Sequence, residues 1–493
     1  MSQPLLYEIN TRCWLRELSE ANGRAITLGN IPDAQFLQWQ RLGFTHIWLM
    51  GVWTGGPRAR AQALRSTGLA QAFSEALPDW TEADVGPSPY AISAYEVPAR
   101  LGGEQGLEEF RRKLNSSGLR LMLDFVPNHL GLDHPWIEKR PELFVQSHQA
   151  EPDTFLQRTS AGPKYLAHGK DPYCPAWTDT VQLDYRRADA RAAMLGLLQS
   201  VAQLCDGVRC DMAMLLLNEV FANTWNGFPA TEPSCETEFW ADAISAVRQR
   251  NHGFQFLAEV YWGLEPRLQS LGFNYTYDKT LYDRLIAWQP GGVQRHLLGL
   301  PRSGISAGAH FVENHDEPRI AAKLDFDAHR AAALTILSLP GMRFLHEGQL
   351  CGWRRRLPVQ LMRRAREPEN PQIRGMYDQL LTAVHGSAIG QETPALLTPG
   401  PAWPDNPTAQ HFLLIQWKGP ALAFDLAVVN QAPHRSQCYA PVNIGDDAPG
   451  RWALNDLLGS DHFVRNHDEL KQRGLYLDLP PHGAQVLHFE PIA

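Results

Sequence analysis

Over the first two thirds of the chain, short apolar runs alternate with helix-length amphipathic segments, the pattern of a parallel sheet covered by helices. The spacing predicts a strand over residues 7–14, a helix over 32–42 closed by Gly43, and a buried strand over 45–50. A helix over 105–115 closed near Gly118 and a strand over 120–126 follow. The same unit recurs as helix 188–204 with strand 207–211 and helix 236–250 with strand 254–260. Strand 273–277 with helix 278–287, strand 310–313, helix 328–339 and strand 342–346 complete the series. Eight strand candidates in sequence predict an α/β fold, a (β/α)8 TIM barrel, because closing the sheet removes both of its edges.

Two stretches break the rhythm. Residues 130–186, after strand three, are rich in Pro, His, Asp and aromatics without a clear period, which predicts an insertion subdomain. Beyond residue 390 alternating runs at 411–417, 421–429 and 485–490 are separated by Gly, Pro, Asn and Asp, the pattern of an all-β sandwich. The expected organisation is therefore a catalytic barrel formed by 1–129 and 187–390, an insertion at 130–186 and a C-terminal β-sandwich at 391–493. No internal repeat, low-complexity tract or heptad seam interrupts it.

Composition narrows the function. With 44% hydrophobic and 20% charged residues among 493, the chain has ample core and no composition for long disorder. The 45 Lys and Arg against 53 Asp and Glu leave a net charge of -8, which disfavours a nucleic-acid partner. No apolar run approaches the ~18 residues of a membrane span, so no membrane partner is expected. The start, Met1 to Glu8, has neither a basic region nor an apolar stretch of the export type, and the seven cysteines form no C-x-x-C pair. Both observations predict a cytoplasmic protein with reduced thiols.

Active sites of such barrels lie at the C-terminal ends of the strands, so polar residues ending apolar strands carry the chemistry. Strand three ends Leu123-Asp124-Phe125-Val126-Pro127-Asn128-His129, strand four Gly207-Val208-Arg209-Cys210-Asp211, strand five Leu257-Ala258-Glu259, and strand seven Phe311-Val312-Glu313-Asn314-His315-Asp316. Asp211, Glu259 and Asp316 would converge on one rim, where mutual repulsion raises the proton affinity of at least one of them. A glycosidase needs such an arrangement, one carboxylate ionised as nucleophile and one protonated as acid. Cys210, beside Asp211 on the strand, points to the opposite face and reads as a small buried residue.

In this order and spacing the four segments resemble the α-amylase family of retaining glycoside hydrolases and transglycosylases. Gln182-Leu183-Asp184-Tyr185 resembles the family's short motif at the end of the insertion. The stretch Ser88-Pro89-Tyr90-Ala91-Ile92-Ser93-Ala94-Tyr95 resembles the one after strand two, with Pro89 in the place of the family's glycine. The resemblance implies Asp211 as nucleophile, Glu259 as general acid and then base, and Asp316 as the group that holds the sugar hydroxyls. His129 and His315 would bond sugar hydroxyls, Tyr90 would stack beneath the ring, and Asp124 would support the others. Arg209, two residues before Asp211 and so on the same side of the strand, would keep it ionised.

The implied substrate is a short intracellular saccharide with α-glucosidic bonds. The same three carboxylates serve hydrolysis, transfer to another sugar and phosphorolysis, and a non-catalytic carbohydrate-binding barrel is the reading from another class. No cofactor is required, although Asn128 matches the family's calcium ligand; no further metal ligand is assigned, and the oligomeric state stays open. Tyr90 is read either as a sugar platform or as core, and Trp53 either as a wall of the substrate mouth or as core. Arg354, Arg355, Arg356, Arg363, Arg364 and Arg366 put six arginines into thirteen residues. They either pair with acidic neighbours or bind an anionic substrate.

Overall fold

Leu5–Asn10 is nearly all apolar apart from Glu8 and almost wholly buried, as a strand covered on both faces by a parallel barrel must be. It opens the chain in a computed structural model that describes residues 3–160, 162–230, 235–287, 289–445 and 450–492. The strand ends earlier than the pattern predicts. The Asn10 side chain accepts the Cys13 N–H at 3.3 Å and starts helix α1, Thr11–Asn22, so residues 11–14 are helical. Over so few residues a buried strand and a buried helix start look alike in sequence, and the capping bond decides between them.

The eight barrel strands are β1 Leu5–Asn10, β2 His46–Met50, β3 Arg120–Phe125, β4 Gly207–Cys210, β5 Gln255–Ala258, β6 Tyr275–Tyr277, β7 Gly308–His310 and β8 Met342–His346. All pair in parallel with their sequence neighbours, and β1 closes on β8 through Leu5↔Arg343 to Glu8↔His346. Strand seven lies earlier than the expected 310–313, so Phe311 to Asp316 run as a loop above the barrel. Helices α2 Asp33–Arg41, α3 Gly103–Ser116, α4 Ala188–Leu204, α5 Phe239–Arg250, α6 Lys279–Ile286, α7 Phe326–Ser338 and α8 Pro371–His385 surround it.

Side chains alternate between two apolar compartments. Leu6, Trp48, Met122, Leu257, Tyr277, Met342 and Phe344 fill the barrel interior, while Ile47, Leu121, Val208, Cys210 and Phe256 meet the helices. The barrel is thus a packed body and no pore, and its polar chemistry is confined to one end. In the insertion, Gln146–Ser147, Thr154–Thr159 and Gly162–Ala167 form a three-stranded antiparallel sheet, although no period marked them in the sequence.

At the C-terminus β9 Ala395–Leu397, β10 Phe412–Lys418, β11 Phe424–Asn430, β13 Arg451–Asp456, β14 His462–Asn466 and β16 Ala484–Ile492 make one antiparallel sheet, and β12 Ser436–Ala440 with β15 Leu475–Leu479 make a second. The period-2 alternation sends Leu413, Ile415 and Trp417 towards the barrel and Phe412 and Leu414 towards the second sheet. Helix α7 lies between barrel and sheet, where Trp417 Nε1 donates to Ser338 O at 2.8 Å. It is therefore buried at every position from Ala331 to Ser338. Among the described residues no helix is long and apolar enough to cross a membrane.

Candidate active site

Strand β4 carries a cation into the barrel. Gly207, before it, has no side chain because a Cβ there would meet Gln255 O at 2.8 Å. Arg209 points inward and is 1% exposed, with its guanidinium 5.2 Å from the Tyr90 ring centroid, 5.3 Å from Trp48 and 5.7 Å from Tyr277. A buried cation is tolerated only when paired. Arg209 Nη1 donates to Asp211 Oδ1 at 2.8 Å, Nη2 pairs with Glu259 Oε2 at 2.7 Å, and Nε donates to Tyr277 Oη at 3.2 Å. Asp124 Oδ1 stands 3.6 Å from Nη1. Two ends of one guanidinium therefore hold Asp211 and Glu259 side by side.

The backbone tightens this pair. Met212 follows Asp211 with φ at 43°, a left-handed conformation that costs a bulky residue about 1–3 kcal/mol. In that turn its N–H donates to Glu259 Oε2 at 2.8 Å, while Tyr261 Oη donates to Oε1 at 2.7 Å. Burial raises the proton affinity of both carboxyls, and Arg209 offsets part of the rise in each. Asp211 and Asp316 add repulsion at Glu259, which raises its proton affinity further.

A second cluster holds Asp316. The Asn314 side chain accepts the N–H groups of Asp316 and Glu317, both at 2.9 Å, and so shapes the loop after β7. His315 Nδ1 bonds Glu8, buried on β1; its Nε2 lies 2.7 Å from Tyr90 Oη and 2.9 Å from Asp316 Oδ2. Burial alone would lower His315, but Asp316 and Glu8 overcome it and hold the imidazole cationic, well above its usual range. Burial pushes Asp316 up, yet that cation outweighs it and holds the carboxyl below the carboxylate range. The Asp316 side chain remains 43% exposed and open to a ligand.

Asp211, Glu259, Asp316, Arg209, His315 and Tyr90 form one contiguous network. Tyr90 stacks on His315 with ring centroids 5.4 Å apart and stays half-buried, so it braces the site and still presents part of its surface. His129 is buried beside Trp177, ring centroids 5.0 Å apart, and bonds the Tyr90 backbone; burial lowers it to about 4, hence neutral. Trp53 is core: it is 1% exposed and its Nε1 donates to Asp124 O at 2.8 Å, so it walls no substrate mouth. Cys210 is buried between barrel and helices, as expected. Glu8, Tyr261 and Tyr277 were not anticipated. Glu8 was the available signal, the one charge in an apolar strand, but a strand placed at 7–14 puts it at the wrong end.

Asn128 does not offer itself to an ion. Its Nδ2 donates to Gln182 Oε1 at 3.2 Å and its Oδ1 accepts from Gln182 Nε2 at 3.0 Å, so both amide atoms bond one partner. Among the described residues no group of three or more His, Cys, Asp or Glu suits a metal. The Gln182-Leu183-Asp184-Tyr185 stretch instead braces the loop after β3, with Tyr185 Oη donating to Pro127 O at 2.8 Å.

Asp124 makes a stability prediction. Burial, partly offset by Arg209 and His315, pushes it up to about 7, and its Oδ1 lacks a hydrogen-bond donor. An unfolded Asp titrates near roughly 3.9. Between those values the folded chain keeps a proton that the unfolded chain releases, so stability present at low pH is lost as pH rises towards about 7. Asp124→Asn is neutral throughout, and its stability relative to wild type should improve by about 2–4 kcal/mol from pH 4 to pH 8. Unfolding curves at several pH values check this; a difference independent of pH would refute it.

Residues 35–271 match the family described as the α-amylase catalytic domain. The chain is 25% identical over 289 residues to the α-amylase MalA of Haloarcula japonica, covering 55% of this chain and 38% of that protein. It is 21% identical to α-amylase 3 of Dictyoglomus thermophilum, over 55% of this chain and 54% of the relative. The chain thus spans about half or less of the curated relatives that it matches. A crystal structure of the noncanonic maltogenic α-amylase AmyB of Thermotoga neapolitana superposes with a TM-score of 0.69 at 17% identity, covering 99% of each chain, a likeness of fold.

Proposed function

From a chain that carries the catalytic domain of the α-amylase family, we propose a retaining enzyme that cleaves α-glucosidic bonds of short saccharides by double displacement. The observation that carries the proposal is the single guanidinium of Arg209 shared by Asp211 and Glu259. It ties both carboxyls to one cation, which supports a close pair such as the about 5–5.5 Å that double displacement uses.

Asp211 attacks the anomeric carbon while Glu259 protonates the departing glycosidic oxygen. For this Glu259 carries its proton on Oε1, the oxygen that Arg209 does not hold, and the proton passes from there to the leaving oxygen, after which the Tyr261 hydroxyl again donates to Oε1. Asp316, kept ionised by His315, binds sugar hydroxyls as positive charge grows on the ring. Forming the glycosyl ester consumes the charge on Asp211. The repulsion from Asp211 at Glu259 then disappears, its proton affinity falls, and it becomes the base that takes a proton from the incoming water.

The preference for short saccharides is supported by the rim. Trp262, three residues after Glu259, meets Tyr173 of the insertion with ring centroids 5.0 Å apart, which joins two loops beside the acid. Residues 353–362 are anchored to the loop of Asp316, where Arg319 donates to Arg355 O, and to the loop of Tyr90, where Gly86 N–H donates to Gln360 O. Early-time NMR with maltotriose should show the α-anomer first, and maltotriose should be turned over faster than insoluble starch. A β-anomer appearing first would remove the double-displacement mechanism.

We also propose that the enzyme needs no calcium, because Gln182 occupies both amide atoms of Asn128. Chelation with EDTA should leave melting temperature and turnover unchanged. Gln182→Ala, which strands a buried amide, should cost about 1–3 kcal/mol of stability. A large fall in melting temperature on chelation, restored by calcium, would contradict the proposal.

A further inference from the structure

The six arginines after β8 divide sharply. Arg363 binds Asp84 through Nε and Nη2, both at 2.9 Å, and Asp79 through Nη1 at 3.1 Å. Arg364 binds Glu17 and, at 2.7 Å, Glu347, and its guanidinium lies 4.7 Å from the Trp353 ring. Arg366 reaches Glu20 at 3.3 Å, and Arg354 donates to Ala321 O at 2.6 Å. A cavity of about 800 Å³ between α1 and this loop is lined by Arg363, Arg364, Arg366 and Arg16, each paired with Glu17, Glu20, Asp79, Asp84 or Glu347, so it offers an anion no unpaired cation among the described residues. Arg355 and Arg356 differ: both are exposed, and neither side chain has a hydrogen bond or ion pair among the described residues.

Their position is set by the backbone around them. At one end Arg319 donates to Arg355 O at 3.4 Å and Arg354 holds Ala321 O, which fastens the segment to the loop that carries Asp316. At the other end Gly86 N–H donates to Gln360 O at 2.8 Å and Met362 N–H to Asp84 O at 2.8 Å, which fastens it to the loop that carries Tyr90. The segment is a strap across the rim, and Arg356 stands between its anchors. Its charge reaches Asp316, one of the influences that draw that carboxyl down. Lys279, the cation near the same loop, is already engaged by Asp283 and Glu317.

We propose that Arg356 receives a phosphate group at the mouth of the catalytic centre, carried by a phosphorylated saccharide or arriving as inorganic phosphate. The inference rests on the glycosidase reading above and names the substrate class of that site. A neutral sugar meets a guanidinium only through hydroxyl acceptors, whereas a phosphate meets its charge and its paired donors together. Asp211, Glu259 and Asp316 repel any anion in proportion to its charge, so the gain at Arg356 must come from the fit of the contact. A phosphate supplies it, with three acceptor oxygens of which two meet the guanidinium fork at once.

Calorimetric binding of glucose, glucose 6-phosphate and inorganic phosphate to the full chain tests this. Wild type should bind glucose 6-phosphate about tenfold more tightly than glucose. Arg356→Ala should lose that advantage, and Arg356→Lys should keep part of it. Binding of inorganic phosphate that is lost with Arg356 would identify free phosphate as the ligand, and its absence would identify the sugar phosphate. Equal affinities for glucose and glucose 6-phosphate in wild type, or a preference that survives Arg356→Ala, would overturn the proposal. Fluoride release from α-glucosyl fluoride by the same preparation separates the two readings. Release without a phosphate preference sinks the anion site alone, and a phosphate preference without release sinks the glycosidase alone.

Discussion

Asp211→Asn should lower turnover of every substrate by about 10⁴-fold or more, natural and activated alike. The carboxamide fills the same space and can still accept from Arg209 Nη1, so the melting temperature should stay near that of wild type. What it lacks is the charge and nucleophilicity needed to form the glycosyl ester. Removing a carboxylate whose proton affinity burial already raises relieves a desolvation cost, which partly offsets the lost ion pair. Initial rates on maltotriose and on α-glucosyl fluoride, with thermal unfolding of both proteins, check the prediction. Residual activity above about 1% on either substrate would deny Asp211 the nucleophile's role.

Glu259→Gln should separate substrates that Asp211→Asn does not. Loss of the acid should cost about 10²–10⁴-fold on maltotriose, whose leaving oxygen must be protonated. Attack on α-glucosyl fluoride, whose leaving group needs no proton, should be nearly spared at the glycosylation step. The pH profile follows with a definite sign. Glu259 must carry its proton, and burial holds that proton above the usual carboxylate range. Wild-type kcat/KM on maltotriose should therefore fall as pH rises through that raised value, and fall again at low pH as Asp211 is protonated. With α-glucosyl fluoride the alkaline limb should vanish, in wild type and in Glu259→Gln. Equal losses on both substrates at glycosylation would exclude Glu259 as the acid.

The two cases show why some of the site could be read from sequence. Asp211 and Glu259 each end an apolar run, and in a parallel barrel all strand ends of one sense lie on one rim, so alternation alone brings them together. His315 and Asp316 were placed on the correct loop, although β7 is shorter than its apolar pattern, because the loop still rises from the same rim. Glu8 escaped for a physical reason. Whether residues 11–14 continue a strand or begin a helix depends on one side-chain bond from Asn10 to Cys13 N–H, and hydrophobicity does not register it.

Periodicity by itself determined the barrel, its interruption after strand three and the β-rich C-terminal region, since a side chain's burial follows from its place in a repeating element. It also determined that Asp211, Glu259 and Asp316 share a rim. Tertiary structure alone decided that Trp53 is core, that Asn128 is closed by Gln182, and that four of the six arginines are tied while Arg355 and Arg356 are free. Those outcomes depend on partners distant in sequence: Arg363 meets Asp84 across 279 positions and Arg364 meets Glu17 across 347. A local pattern records which face a residue presents to the protein. Only the closed chain brings up the group that it meets there.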